Sequence, residues 1–376
     1  MKKDILLPAF WVDTPEKLKI LMDDLQAAAA IGVDTESNSL HAYQEQVCLI
    51  QFSTPQADYL VDPLAIDDLT PLGEVFAAPH IQKIFHAAEY DLICLYRDFG
   101  FAFENLFDTM WAARVLGYRQ IGLGALLARF FDVSPDKRYQ RANWGKRPLP
   151  AEQLLYAQMD THYLIPLKEI LQRELQASAF NELAREDFVR FCRLNDTVRS
   201  SESTPCWQNI RNARELSPRK IAVLQKLCEF RDQIARKQNL PLFKVIGDKV
   251  LLRIAENMPT DPAGLQAAGM SEYQIRRYGQ GLLRAIQRGR QAPKLYYSKA
   301  SSPDPAYLER LDALQYWRKM TARHLGVESD VVLPRTILEE IAMQNPTTSE
   351  MLCEIMCEIP WRYQRFGQEI LQLIQR

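Results

Sequence analysis

The sequence predicts an α/β domain, a small sheet with helices around it, followed by two all-α helical bundles. Three observations predict this. Short runs rich in β-branched and aromatic residues alternate with helical patterns over roughly the first ninety residues. From about residue 217 only helical periodicity remains. That helical half also repeats itself, at an offset of 87 to 88 residues.

Residues 14–28 place Leu18, Leu21, Met22 and Leu25 on one helical face. Four strand-like runs follow: AIGVDTE (30–36), VCLIQFST (47–54), ADYLVDP (57–63) and QKIFHA (82–87). Each is bounded by turn residues or a polar loop. After about residue 88 the pattern turns helical and stays so. In the second half, FRDQIARKQNLP (230–241) is matched by WRKMTARHLGVE (317–328), and LLRIAENMP (251–259) by LEEIAMQNP (338–346). RYGQGLLRAIQR (277–288) is matched by RFGQEILQLIQR (365–376). Ordered matches at near-constant offset mark a duplicated module. Pro259 and Pro346 end a helix in each copy, because the ring cannot continue one. Ser- and Pro-rich stretches at 198–206 and 296–306 read as linkers. The expected domains are therefore 1–200, 210–295 and 303–376.

The chain has 376 residues, 47% hydrophobic and 25% charged, enough apolar surface for two or three cores. No apolar run approaches the ~20 residues that span a membrane. The first segment, MKKDILLPAFWVD, is too short and interrupted for a signal peptide. Seven scattered cysteines argue against a complete disulfide framework. A cytoplasmic protein, acting as a monomer, is expected. Cys353 and Cys357, one helical turn apart, lack His or Cys partners at useful spacing and are expected to pack.

The net charge of −1 conceals an uneven distribution: −8 over residues 1–200, +10 over 201–300 and −3 over 301–376. A basic block of this kind is a physical reason to expect a polyanion partner, with solvated helix faces as the plain alternative. Arg219, Lys220, Lys226, Arg236, Lys237, Lys244 and Lys249 are the candidate phosphate contacts. The second module, near neutral, is expected to pack against the other domains or help shape a central opening. The chain lacks a G-x-x-x-x-G-K-[ST] loop, so it is not itself a helicase.

Asp34 and Glu36 stand at i and i+2 in a strand-like run, so both face one side of the sheet. Crowded carboxylates repel, and a divalent cation removes that cost. Asp91 falls in the first helical turn after the run ending near His86. Tyr156 and Asp160 are i and i+4 on a helix and share a face. Singly, each has an ordinary explanation: a solvated strand end, a favourable helix N-terminus, a surface pair. Asp108 precedes a helical run and reads as an N-cap rather than a fifth ligand. His86 is a candidate general base, with a hydrogen-bonded strand end as its alternative. Lys137, Arg138, Arg141, Lys146 and Arg147 surround Trp144, a pattern that suits a single strand through charge and stacking, or a solvated loop over a buried ring.

In combination, D-x-E, a later Asp and Y-x-x-x-D resemble the three exonuclease motifs of the DEDD superfamily, in its tyrosine branch. With the tandem helical modules the whole chain resembles the ribonuclease D family. VCLIQFS, FDTMWAARVLG and NWGKRPL match as well. Ser37 stands where the family usually has an aromatic, and Asn143 where it often has Asp. The resemblance implies a ribonuclease H-like fold with a mixed five-stranded sheet. It also implies two divalent ions, Mg²⁺ or Mn²⁺, held by Asp34, Glu36, Asp91 and Asp160. Tyr156 would orient the attacking water, and Glu36 would contact the terminal 3′-hydroxyl or the water network. Thr35, His86, Lys137, Trp144, Arg147, Lys220 and Lys237 are the candidate nucleic-acid contacts. The implied activity is 3′→5′ trimming of RNA 3′ ends to nucleoside 5′-monophosphates, as in tRNA precursors. A DNA exonuclease and a non-catalytic nucleic-acid-binding protein are the competing readings.

Overall fold

The computed structural model describes residues 6–193, 205–297 and 304–375, so most of both linkers lies outside the described residues. The first part of the chain forms one sheet of six strands. They are β1 (Phe10–Val12), β2 (Ala30–Ser37), β3 (Val47–Ser53), β4 (Asp58–Val61), β5 (Gln82–Phe85) and β6 (Leu106–Asp108). Their spatial order is β1-β4-β3-β2-β5-β6. β3 runs antiparallel to both β2 and β4, and the other pairs are parallel, so the sheet is mixed. Six strands replace the five that the resemblance implies. The helical pattern expected beyond residue 88 is also interrupted, by β6. β1 and β6 have three residues each, too few to show a period-two signal.

Among the described residues eight α-helices surround this sheet: α1 (Pro15–Ala27), α2 (Thr70–Ala77), α3 (Glu89–Phe99), α4 (Thr109–Val115), α5 (Leu123–Phe131), α6 (Ala151–His162), α7 (Leu164–Ala177) and α8 (Asn181–Cys192). α1 starts at Thr14, whose side chain caps Lys17 N, and buries Leu18, Leu21, Met22 and Leu25. Every residue of β3 is buried, because the strand has a core on each face. Ile50 and Phe52 enter the main core with Ile31, Val33 and Phe76. Leu49 joins a smaller core with Leu60, Trp144, Tyr156 and Ala157.

α6 is seated on β3 and β4 by a polar network. Gln158 Nε2 donates to Asp58 Oδ2 at 2.7 Å, and His162 Nδ1 lies 2.8 Å from the same oxygen. Ser53 Oγ donates to Asp58 Oδ1 at 2.6 Å and contacts Thr161 Oγ1 at 2.7 Å. Burial alone would raise the pKa of Asp58, but the bonds from His162, Gln158 and Ser53 outweigh it and hold the carboxyl below its ordinary value. Gly32 permits the close approach: a Cβ there would lie 2.9 Å from the Thr161 carbonyl oxygen.

The two helical modules share one plan. Helices Pro218–Gln238, Leu242–Val245, Asp248–Asn257, Pro262–Ala267 and Glu272–Gln291 are followed by Pro305–Leu325, Ser329–Val332, Arg335–Gln344, Ser349–Ile355 and Pro360–Ile374. In each copy an arginine of the first helix donates to a carbonyl after the short second one: Arg231 to Ile246 at 3.0 Å, Arg318 to Leu333 at 3.1 Å. Cys353 and Cys357 are exposed, which corrects their expected packing role.

The chain divides into two compact units. One contains the first module and the β2–β3 connection, residues 38–46. Within it, Tyr43 donates through its hydroxyl to Asp232 and through its N–H to Asn239 Oδ1. The other contains the sheet domain and the second module. Within it Arg362, fully buried, donates to Asp187 Oδ2 at 2.6 Å, Glu186 Oε2 at 3.1 Å and the Val331 carbonyl at 2.8 Å. Asp187 also accepts from Trp111 Nε1 at 2.8 Å. Removing one partner of such a network leaves a buried charge uncompensated. Arg362→Ala is expected to cost about 3–5 kcal/mol in a urea titration of the full chain; a loss below about 1 kcal/mol would contradict this account.

Candidate active site

The pairing of β2 sets the site. Its ladder with β3 runs to Ser37, but its ladder with β5 stops at Gly32. From Asp34 to Glu36 the β5 side of the strand is therefore open, and the first turn of α3 brings Asp91 towards it. Thr35 donates its hydroxyl to Asp91 Oδ1, and its backbone N–H supports the same carboxylate. α6 supplies Asp160 and Tyr156, whose hydroxyl hydrogen-bonds Asp160.

Asp34, Glu36 and Asp160 each offer an oxygen, and the three atoms lie within 4.8 Å of one another. Asp91 stands close enough for its charge to act on all three. Burial first, and then the neighbouring acids, push Asp34 and Glu36 well above their ordinary pKa values. Asp91 and Asp160 are raised to about 7, again chiefly by burial. Tyr156 is raised by burial and then by Asp160, Glu36 and Asp34, so the phenol keeps its proton and acts as a donor.

This donor set fits divalent cations. It is all hard oxygen, and the leading influences on the four acids include no Lys or Arg among the described residues. A further polar group faces the same place. Gln51, directly opposite Asp34 on β3, is fully buried, and neither end of its amide has a hydrogen-bond partner.

The other candidates sort by their partners. Asp108 caps α4 by accepting from Trp111 N at 2.9 Å, and also accepts from Ala87 N and Ala88 N at 3.1 and 2.8 Å. It is a brace for the β5–α3 loop, where Ala87 takes a left-handed φ of 66°. Thr109 donates its single hydroxyl hydrogen to the Phe85 carbonyl, so His86 Nδ1 must donate to Thr109 Oγ1 at 2.9 Å. Burial lowers His86 to about 4, which keeps it neutral.

Among the expected nucleic-acid contacts the burial of Trp144 is a correction, and the others are placed by their partners. Trp144 is only 1% exposed and packs beside Tyr156, so its ring has no face for a base. Arg147 is held by Asp62 through two bonds of 2.6 Å and by the Cys48 carbonyl at 2.7 Å. Thr35 serves Asp91. Arg219 caps the helix Glu272–Gln291 at the Ala292 carbonyl, and Lys226 pairs with Glu229 at 2.8 Å. Arg236 pairs with Asp232 on the surface and lies over Tyr43. Lys137 and Lys237 are exposed and Lys220 half-exposed. Lys244 contacts His41, and Lys249 is exposed. Sequence reasoning missed Gln51, whose signal was a polar residue in the otherwise apolar run CLIQF.

A mixed sheet bearing four converging carboxylates and a helix-borne Tyr–Asp pair defines a nuclease, and residues 9–176 match the 3′-5′ exonuclease family. The HRDC domain family matches twice, at 220–286 and 308–374. Ribonuclease D of Jannaschia sp. is 30% identical over 358 residues, covering 92% of this chain and 89% of that protein. The crystal structure of Escherichia coli RNase D superposes with a TM-score of 0.70 at 27% identity, covering 98% of this chain and 99% of that one. The exosome complex exonuclease RRP6 of Saccharomyces cerevisiae is 32% identical over 271 residues, but the chain spans only 37% of its length. The chain belongs to the ribonuclease D family, whose exonuclease domain is a divalent-metal-dependent 3′→5′ hydrolase.

The raised acids make a thermodynamic prediction. Asp91 and Asp160 titrate near 7 folded and near 3.8 unfolded, so between these values the native state binds more protons. Stability of the metal-free protein then falls as pH rises from about 4 to about 7. A bound cation offsets this most where the acids are ionised. Melting curves with EDTA and with Mg²⁺ should differ more at pH 8 than at pH 5.5. An equal shift at both pH values would contradict the assignment.

Proposed function

We propose that Asp34, Glu36, Asp91 and Asp160 hold two divalent ions, Mg²⁺ or Mn²⁺, and that this centre trims RNA 3′ ends to nucleoside 5′-monophosphates. The convergence of those acids with Tyr156 is the observation that carries the reading. Bound ions supply the Lewis acidity that activates water and steadies the leaving oxygen. Tyr156, protonated and fixed by Asp160, orients the attacking water. Glu36 contacts the terminal 3′-hydroxyl or the water around it. Structured RNA, with precursor tRNA as the leading case, is the substrate class. The RNase D structure described for E. coli, an exoribonuclease involved in structured RNA processing, supports that choice.

The domains divide the task as 1–200 for chemistry, 210–295 for phosphate contact and 303–376 as a brace. The protein works as a monomer in the cytoplasm; no helix of the described residues is long and apolar enough to cross a membrane. Lys137, Lys220, Lys237 and Lys249 remain as phosphate contacts, since no ion pair engages them among the described residues.

Matched RNA and DNA oligonucleotides, labelled along the strand, test the chemistry. Wild type should shorten the RNA from its 3′ end, and Asp160→Asn should lose at least ~10²-fold in rate. Equal rates would refute the site, and faster cleavage of DNA would reassign the substrate. For the basic module, Lys220→Gln and Lys237→Gln should each lower the log–log salt slope of RNA binding by about one. An unchanged slope would remove that residue from the interface.

A further inference from the structure

Gln51 occupies a place where a polar side chain should not rest alone. It lies on the central strand β3 and is fully buried. Neither Oε1 nor Nε2 finds a partner among the described residues. Leaving a buried amide unpaired forfeits its solvation with no bond in return at each unsatisfied group. An apolar residue of the same volume would avoid that cost, so the amide needs a reason to be there.

Register says where it points. Gly32, Asp34 and Glu36 on β2 stand opposite Ser53, Gln51 and Leu49 on β3. Partners in an antiparallel ladder project to the same face. That face is the one covered by α6, as both neighbours of Gln51 show. Ser53 contacts Thr161, and Leu49 shares a small core with Tyr156 and Ala157. Gln51 therefore sits beneath the stretch of α6 between Tyr156 and Thr161, which includes Asp160, and directly beside Asp34. Its neighbour across β4 is Leu60, which offers no polar side chain. The polar groups of this face are Ser53 and Thr161, which already bond to Asp58 and to each other, and the acid cluster on the other side of Gln51.

We propose that Gln51 is a positioning residue of the acid cluster, its amide N–H donating to the Asp34 carboxylate when the cluster holds its cations. The amide is then orphaned only in the metal-free protein. It fixes the rotamer of Asp34, so that this ligand meets the ion in one orientation. Partners that orient metal ligands typically change metal affinity by about 10–100-fold when removed. The proposal rests on the reading of the four acids as metal ligands.

Manganese binding to the full chain, followed by calorimetry, tests it in wild type, Gln51→Met and Asp34→Asn, with metal-free melting curves beside them. Gln51→Met keeps length and volume and discards the amide. Gln51→Leu is a second apolar replacement in case methionine packs badly. The expected result is a metal-free melting temperature at or above wild type, with Mn²⁺ affinity about 10–100-fold weaker. Unchanged Mn²⁺ affinity overturns the proposal. So does a lower metal-free melting temperature, or failure of both variants to fold, because the amide would then support the fold itself. If wild type and Asp34→Asn bind Mn²⁺ equally, the acid cluster is not the metal site, and the underlying reading fails rather than this one alone.

Discussion

Repulsion among four carboxylates is the constraint around which the nuclease domain is arranged. Asp34, Glu36, Asp91 and Asp160 come from a strand, a helix N-terminus and a helix interior, and burial sharpens their mutual penalty. An unconstrained chain would let them separate. Each is instead carried by an element anchored elsewhere. β2 is locked between β3 and β5, and Asp91 is held by Thr35. α6 is fastened by Gln158, Thr161 and His162 to the Ser53–Asp58 network. The fold thus stores an unfavourable arrangement of the kind that bound cations would relieve, a common signature of a site selected for function over stability.

The bracing extends away from the acids. The β5–α3 loop turns through Ala87 in the left-handed region, which Asp108 stabilises by accepting two consecutive N–H groups. The same carboxylate accepts from Trp111 N, and the Trp111 ring donates to Asp187. Asp187 is the buried partner of Arg362 in the second helical module. A continuous run of hydrogen-bonded groups therefore joins that module to the loop that leads into α3 and its Asp91. The module's part is to close the network that keeps α4 and α8 in place.

What the sequence made visible follows from the range of the interactions. The acids and Tyr156 stood out because their spacing is local: i, i+2 on a strand and i, i+4 on a helix. The cap at Asp108 was visible for the same reason. The surroundings of Trp144 and Arg147 were not legible because their partners, Leu49 and Leu60 for the ring and Asp62 for the guanidinium, are far away in sequence. Arg219 was miscounted likewise, as its guanidinium closes a helix that begins more than fifty residues later. Charge totals survive such losses better than single residues do: the basic block persists although several of its members are engaged.

The duplicated modules put one scaffold in two different settings. Gln274 and Arg362 occupy matching places, 88 residues apart, near the start of the last helix in each copy. Gln274 donates to the Val245 carbonyl in the short helix of its own module, and its reach ends there. Arg362 also bonds to a carbonyl of the short helix in its own module, that of Val331, and has donors to spare, which meet Glu186 and Asp187. Arginine's five N–H groups allow both tasks at once, where glutamine's two do not. Burying that charge is worthwhile only against a paired carboxylate, so the arginine commits the second copy to the nuclease domain. The first copy carries the excess of Lys and Arg, +10 over residues 201–300, that suits it to a polyanion.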